Sequence, residues 1–455
     1  MPTPTPPETP TQGPGYDRRL GTFDATMVVV GAIVGAGIFL NPAIVAQRVG
    51  TAPMILLAWG LGGVIALLGA FCFAELGGRL PRAGGGYVYL RDAFGPLPAF
   101  LYGWTQLLVI NTGGIAAVAI TFASYGADLA GVGEAWIKPS AVAAIVLLSG
   151  VNAAGVRFGS LVQNAFTLLK LAALALLVGA GAWLWLGGAA PASAEPAATT
   201  GGGGVLAMGA ALVAVLFAYG GWQHANNIAE EIRDPERRLP RALVMGVLLV
   251  VAVYVAANAA YLAALGPAGL AASTAPAAEA LRAAAGRWGG VAIGVGVVCS
   301  TFGILNVFIL SAPRIYREMA ADGLFFASVA RLSPRTRTPN VGIWIQAVWA
   351  VLLALSGTYA QLLDWVVFGD WIFFGLIAAT LFVYRAREGR GAVGGTFRIP
   401  AHPLVPGLFV AAALFVVYSS VVSNPRNALY GTLLIGAGVP AFLAWSRGNR
   451  GDRVG

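Results

Sequence analysis

The stretch ATMVVVGAIVGAGIFLNPAIVAQ, Ala25 to Gln47, is apolar and long enough to cross a bilayer, yet it carries Gly31, Gly35 and Gly37, with Pro42 just beyond. About 20 apolar residues suffice for a crossing. Glycine frees the backbone and proline removes a donor, so these are poor choices for an uninterrupted helix. Inside hydrocarbon a broken helix strands N–H and C=O groups, which is tolerated only where the break faces protein, a cavity or a ligand. The first span is therefore expected to be discontinuous, with the functional centre of the chain at Gly35-Ala36-Gly37.

Composition places that span in a polytopic membrane protein. Of 455 residues, 58% are hydrophobic and 10% charged, where a soluble domain carries about 25% charge. The net charge of +9 could suggest nucleic acid. However, the basic residues sit in short loops between apolar stretches, which is a topology signal and not a binding face. Cys72 and Cys299 fall inside apolar spans, so no disulfide framework is expected. His224 and His402 are far apart and lack metal-ligand spacing. Neither a metal nor a cofactor is expected.

Twelve spans are expected near 23–48, 52–78, 94–127, 138–153, 160–186, 205–230, 240–265, 288–312, 340–357, 361–384, 404–423 and 427–446. Residues 1–20 read as a disordered tail, with no apolar core of a signal peptide. Residues 187–204 read as a linker, and 266–287 as a loop long enough for a small helix. With the N-terminus cytoplasmic, only Arg48, Lys138, Arg282, Arg287 and Arg426 fall outside, Lys170 lies within a span, and the other 22 of the 28 basic residues fall inside. The positive-inside rule then puts both termini in the cytoplasm.

The sixth span, GAALVAVLFAYGGWQHANNIAEE, also breaks in its middle, at Tyr219-Gly220-Gly221-Trp222. It lies five spans after the first, and an odd offset reverses its direction. This is the pattern of two inverted five-helix repeats with a binding site where the broken helices meet, as in secondary transporters. Glycines can instead serve close helix packing, and Gly31-x-x-x-Gly35 fits such a seam. Matching interruptions in both halves favour the broken-helix reading. The expected organisation is a tail (1–20), a first repeat (21–186), the linker (187–204), a second repeat (205–384), a cytoplasmic loop with two further helices (385–446) and a C-terminal tail (447–455).

The blocks GAIVGAGIFLNP, AELGGRLPRAGGGYVYLRDAFG, NAFTLLK, FAYGGWQHANNIAEEIRDPERRLPRA and FGILN…SAPRIYREMAADGLF resemble the signature blocks of amino-acid permeases. The superfamily is the amino acid–polyamine–organocation group, and the similarity is greatest to its L-type amino acid transporter branch. The resemblance covers spans one to ten. It implies an all-α leucine-transporter-type fold working by alternating access.

An amino-acid zwitterion needs donors for its carboxylate and acceptors for its ammonium, and a helix break supplies both. N–H groups around Gly35, Ala36 and Gly37 are expected to take the carboxylate. Carbonyls near Ile33, Phe217 and Ala218 are expected to take the ammonium, with Gly220 opening room beside them. The resemblance makes Phe217 an aromatic lid, against a plain core aromatic as the alternative. Position 36 often carries Ser in relatives; Ala36 lacks that hydroxyl.

Lys170 lies about ten residues, roughly 15 Å, into the fifth span. A mid-helix lysine costs at least ~3 kcal/mol of insertion free energy, which makes it a functional candidate; the alternative is snorkelling to the inner interface. The resemblance puts its ammonium where sodium-coupled relatives hold a sodium ion, bridging to Ser300 or Thr301 of the eighth span. That implies sodium-independent transport. Whether Lys170 also carries a coupled proton stays open. Tyr254 matches a family tyrosine near the inner side of the substrate site. Asn306 and His224 are candidates for the path or for helix–helix contacts. Glu230, Glu231, Asp234, Glu236, Arg237 and Arg238 read as a solvated cytoplasmic cluster, and Asp370 is an intramembrane acid without an evident partner.

A nucleotide-binding enzyme is excluded because the third glycine of a G-x-G-x-x-G turn is Leu40 and no βαβ unit surrounds it. An ion channel would need a repeated filter. The expectation is a sodium-independent exchanger of neutral amino acids in the cell membrane, with proton-coupled uptake or a cationic amino acid or polyamine substrate as alternatives. Human members of the branch pair with a glycoprotein through a cysteine after the third span. The stretch GADLAGVGEAWIKPS has none, so no obligatory heavy subunit is expected.

Overall fold

A computed structural model describes residues 20–82, 84–154, 160–188, 195–199, 204–336, 338–357, 359–388 and 397–451. The tail expected over residues 1–20 lies outside these except for Leu20, as do parts of the 187–204 linker and of the loop after residue 385, and the last four residues. The first half comprises α1 (Thr22–Ile33), α2 (Gly37–Val49), α3 (Ala52–Arg79), α4 (Gly86–Phe94), α5 (Pro96–Thr105), α6 (Asn111–Ala130), α7 (Ile137–Ala153) and α8 (Ser160–Leu186). Then follow α9 (Val205–Tyr219), α10 (Gln223–Asn227), α11 (Pro235–Ala272), α12 (Pro276–Ser311), α13 (Pro313–Ala321) and α14 (Ala327–Ala330). The chain closes with α15 (Asn340–Ser356), α16 (Tyr359–Glu388), α17 (Leu404–Ser423), α18 (Pro425–Gly436) and α19 (Gly438–Gly451). Among the described residues, the β structure is one isolated parallel bridge, Leu20 to Ile232.

Nine helices among the described residues are long and apolar enough to span a membrane, and α1 with α2 forms a tenth, bent by 43° at its break. The helices α9 and α15 are apolar but shorter, and lie where the sixth and ninth spans are expected. The chain is therefore an all-helical, multi-pass membrane protein. In the 266–287 loop, Gly266 at φ 66° kinks the end of α11, and Ala285 and Gly286 interrupt the start of α12. Cys72 is buried and Cys299 half-buried, and both are free thiols.

The core is organised around the two broken helices. Gly37 sits where α2 crosses α9: a Cβ there would lie 2.5 Å from Ala218 Cα. Pro42 has no N–H for the Ile38 carbonyl, and Tyr261 supplies that missing donor with its hydroxyl at 3.1 Å. Asn41 ties the same helix to the Ala214 carbonyl at 2.6 Å. Below the break, Trp59, Tyr219 and Tyr254 pack with ring centroids 5.1–5.8 Å apart. Such aromatic pairs add to area burial through their geometry.

At the end of α3, Glu75 is completely buried. Its carboxylate accepts from Arg385 at 2.9 and 2.6 Å, from Arg79 at 2.9 Å and from the Ile399 N–H at 2.7 Å. Arg79 also pairs with Glu388. The cluster fastens α3 to α16 and to the segment after it. Removing one partner of a buried pair leaves the others desolvated and uncompensated, at about 3–5 kcal/mol. Glu75→Gln keeps the shape but loses the charge, so it is expected to cost part of that. The check is a lowered thermal midpoint of the purified protein; an unchanged midpoint would show the cluster to be energetically neutral.

Candidate functional site

The two interruptions meet. Helix α1 ends at Ile33, Val34 leaves the helical conformation, and α2 restarts at Gly37. Among the described residues, the N–H groups of Gly35, Ala36, Gly37 and Ile38 make no backbone hydrogen bond. They are the orphan donors that any helix start leaves. On the other side, the carbonyls of Gly31 and Ile33 have lost their partners four residues on. Lys170, buried in α8, donates to the Gly31 carbonyl at 2.9 Å. Tyr254 of α11 places its hydroxyl 3.1 Å from the Ile33 carbonyl and 3.2 Å from that of Ala218. One phenol thus touches the end of both broken helices.

The second break is built by two consecutive glycines with different tasks. Gly220 is extended and its N–H closes onto Leu216 and Phe217; a Cβ there would meet only ordinary contacts. Gly221 is the constrained one. Its φ of 122° suits glycine, and a Cβ would stand 2.4 Å from the Ala32 carbonyl oxygen. Its N–H is taken by Gln223 Oε1 at 2.9 Å. The two backbone segments approach so closely here that no side chain fits between them.

A cavity of about 50 Å³ lies at this meeting point. Ile33, Gly35, Ala36, Gly37, Phe217, Ala218 and Gly220 all line it, so the expected substrate-binding residues are brought together. His224, Asn111, Phe308 and Asp370 complete part of the wall. His224 shares a hydrogen bond with Ser311 at 3.0 Å and stacks on Phe308. Phe217 is half-buried against the cavity.

Other expected residues fall elsewhere. Lys170 reaches the first span, where its ammonium donates to the Gly31 carbonyl, and bonds to neither Ser300 nor Thr301; among the described residues the Ser300 hydroxyl has no partner, and Thr301 donates to Val297 of its own helix at 2.8 Å. A mid-helix threonine commonly bonds back in this way. Asn306 accepts from Asn152 of α7 at 2.7 Å and is not part of the cavity wall, so it serves a helix–helix contact. In the charged cluster expected on the cytoplasmic side, Arg238 pairs with Asp234 at 3.2 Å on the surface.

Residues 20–440 match the family model described as amino acid permease. The chain belongs to the amino acid permease family. This permease is 32% identical over 443 residues to the serine/threonine exchanger SteT of Bacillus subtilis (strain 168), covering 96% of this chain and 99% of that one. It is 32% identical to the human b(0,+)-type amino acid transporter 1, over 93% of this chain and 86% of that one. With the mouse Asc-type amino acid transporter 1 it shares 31% identity, over 94% and 81%. The permease is accordingly a multi-pass amino acid transporter and not an enzyme.

Proposed function

We propose that this permease is a sodium-independent exchanger of neutral amino acids, working by alternating access in the cell membrane with both termini cytoplasmic. The observation that carries the reading is the convergence of two helix breaks on one cavity. Donors around Gly35–Ile38 suit a carboxylate, and the adjoining carbonyls of Ile33 and Ala218 suit an ammonium. Each carbonyl has two lone pairs, so contact with Tyr254 leaves acceptor capacity on both. The start of α2 adds a partial positive charge that favours the anionic end of a zwitterion.

In this reading α1 with α2, α9 with α10 and the remaining apolar helices make twelve spans. Residues 21–186 and 205–384 form two inverted repeats, and 385–446 carry the last two spans. The Lys170 ammonium, on the Gly31 carbonyl, takes the place a sodium ion holds in coupled transporters. Phe217 covers the bound substrate. The absence of cysteine from the loop after α6 supports a single-chain transporter.

The test is counterflow in liposomes containing the purified single polypeptide, with a panel of labelled amino acids. Neutral amino acids should exchange when unlabelled substrate is inside, equally in sodium and choline buffers. Uptake that requires sodium, or that proceeds without internal substrate, would overturn the exchanger reading. Activity that returns only on adding a second chain would overturn the single-chain reading.

A further inference from the structure

At the end of α2 remote from the break, a second cavity of about 60 Å³ lies between α2, α9, α16, α17 and α18. Arg48, Ser420, Ser423, Asn424 and Asn427 form the polar part of its wall, and the rest is apolar. Among the described residues this wall holds no aspartate or glutamate, and no ion pair involves Arg48. Arg48 is half-buried, and a cation withdrawn from water needs a counter-charge. It stands in the last turn of α2, whose C-terminal carbonyls attract it. That attraction does not account for Ser420, on another helix. Ser420 is 7% exposed, and among the described residues its hydroxyl has no hydrogen-bond partner. Hydroxyls inside helices commonly bond back to the carbonyl four residues earlier, as Thr105, Thr121 and Thr432 do at 2.7–3.0 Å. Ser420 does not, so its donor is kept for an occupant of the cavity.

The ends of α17 and α18 meet at Asn424, where their partial charges oppose each other, so Arg48 sets the sign of the cavity. One guanidinium with hydroxyl and amide groups, and no acid, suits an anion. A guanidinium pairs best with two oxygens of one group, as a carboxylate or phosphate presents them. The volume holds roughly four to six water-sized groups, which fits one phosphate and not a longer chain. Flanking Ser420 and Asn427 in sequence, Val421, Val422, Leu429 and Tyr430 are 42–55% exposed. Apolar surface of this kind, on the helices of a membrane protein, is where acyl chains lie. We infer that this cavity is a binding site for a phosphate group, held by the Arg48 guanidinium and the Ser420 hydroxyl. The group arrives on a phospholipid headgroup or as free phosphate. On either carrier it fastens α2, whose first turn carries the donors at the break, to α17 and α18.

The experiment is a thermal-shift titration of the purified, delipidated permease in detergent. The additions are phosphatidylglycerol, diacylglycerol with the same chains, inorganic phosphate, and sodium chloride at matched ionic strength. A ligand that binds only the folded state raises the midpoint as its concentration passes its Kd. Phosphatidylglycerol should raise it by at least about 2 °C, and diacylglycerol and chloride should not. An equal rise with inorganic phosphate supports the site with free phosphate as a source; a rise with phosphatidylglycerol alone supports it with the lipid as the source. Arg48→Gln should abolish the rise. Ser420→Ala removes a hydroxyl without a partner and so leaves the fold intact; it should raise the half-effect concentration roughly fivefold or more. If Arg48→Gln does not fold, Ser420→Ala decides together with Arg48→Lys, which keeps the charge, loses the fork and should also weaken binding. No rise with either phosphate compound, an equal rise with diacylglycerol or chloride, or an unchanged rise in the variants overturns the inference.

Discussion

Gly37→Ala is expected to reduce exchange at least about tenfold, and Gly37→Val to abolish it. An added Cβ would meet the Ala218 Cα at 2.5 Å and its Cβ at 2.6 Å, which are atoms of a helix and cannot rotate aside. Overpacking typically costs about 1–3 kcal/mol, and every ~1.4 kcal/mol is a factor of ten in an equilibrium. Because the clash lies beside the cavity, that cost falls on the arrangement of the two breaks. Gly35 gives the internal comparison. Its added Cβ would meet Ile304 Cδ1 at 2.7 Å, the far end of a flexible side chain. Gly35→Ala should therefore be milder than Gly37→Ala, while Gly35→Val crowds the cavity itself and should also abolish transport. Exchange rates in liposomes, normalised to correctly inserted protein, make the comparison. Equal effects of the two alanine variants, or normal transport by Gly35→Val, would show that the break is only a packing seam.

Lys170→Ala is expected to leave the protein folded but to change exchange asymmetrically. Two costs oppose each other in the fold. Losing the lysine strands the Gly31 carbonyl, at about 1–3 kcal/mol, but removes an insertion penalty of about 2.5–3.5 kcal/mol. They nearly cancel, so stability moves little. Transport responds differently, because a contact can shift an alternating equilibrium only if it differs between the two states. If the ammonium holds the first span in one state more than in the other, apparent affinity will change on one face of the membrane more than on the other. Kinetics measured from both faces provide the check. Unchanged values on both would reduce Lys170 to a local hydrogen bond, and the argument for sodium independence would go with it.

These two residues also show how far a sequence can be read. The glycines and Pro42 announce an interrupted apolar helix because backbone freedom and a missing donor are properties of the residue itself. A lysine ten residues into a span is conspicuous for the same kind of reason. What each group touches is a property of the fold. The expected bridge from Lys170 to Ser300 or Thr301 is not made; the ammonium donates to the Gly31 carbonyl that the helix break has freed. Gly220 and Gly221 are indistinguishable as a pair in the sequence. Only the approach of the Ala32 carbonyl makes the second one indispensable, although a double glycine is a signal that one member has such a task. Asp370 is conspicuous as an intramembrane acid, but the cavity it lines is assembled from helices far apart in the chain, and no local pattern joins them.

The turn that precedes Asn111 of the cavity wall has a further consequence. Residues Gln106–Ile110 form a π-helical turn between α5 and α6, so Gln106 and Asn111, five apart, face each other. Such turns hold one more residue than an α-helical turn and recur at functional sites. Deleting a single residue between the two would let the α-helix close, and because the turn holds that one residue in excess, the segments on either side would keep their facing. Gln106 and Asn111 would then stand four apart, still neighbours on one helix face. The same deletion anywhere else in α5 or α6 would turn one segment by about 100° against the other, the angle one residue occupies. When two permeases are aligned, a one-residue gap at this turn is therefore compatible with the same pocket, and a gap a few residues away is not.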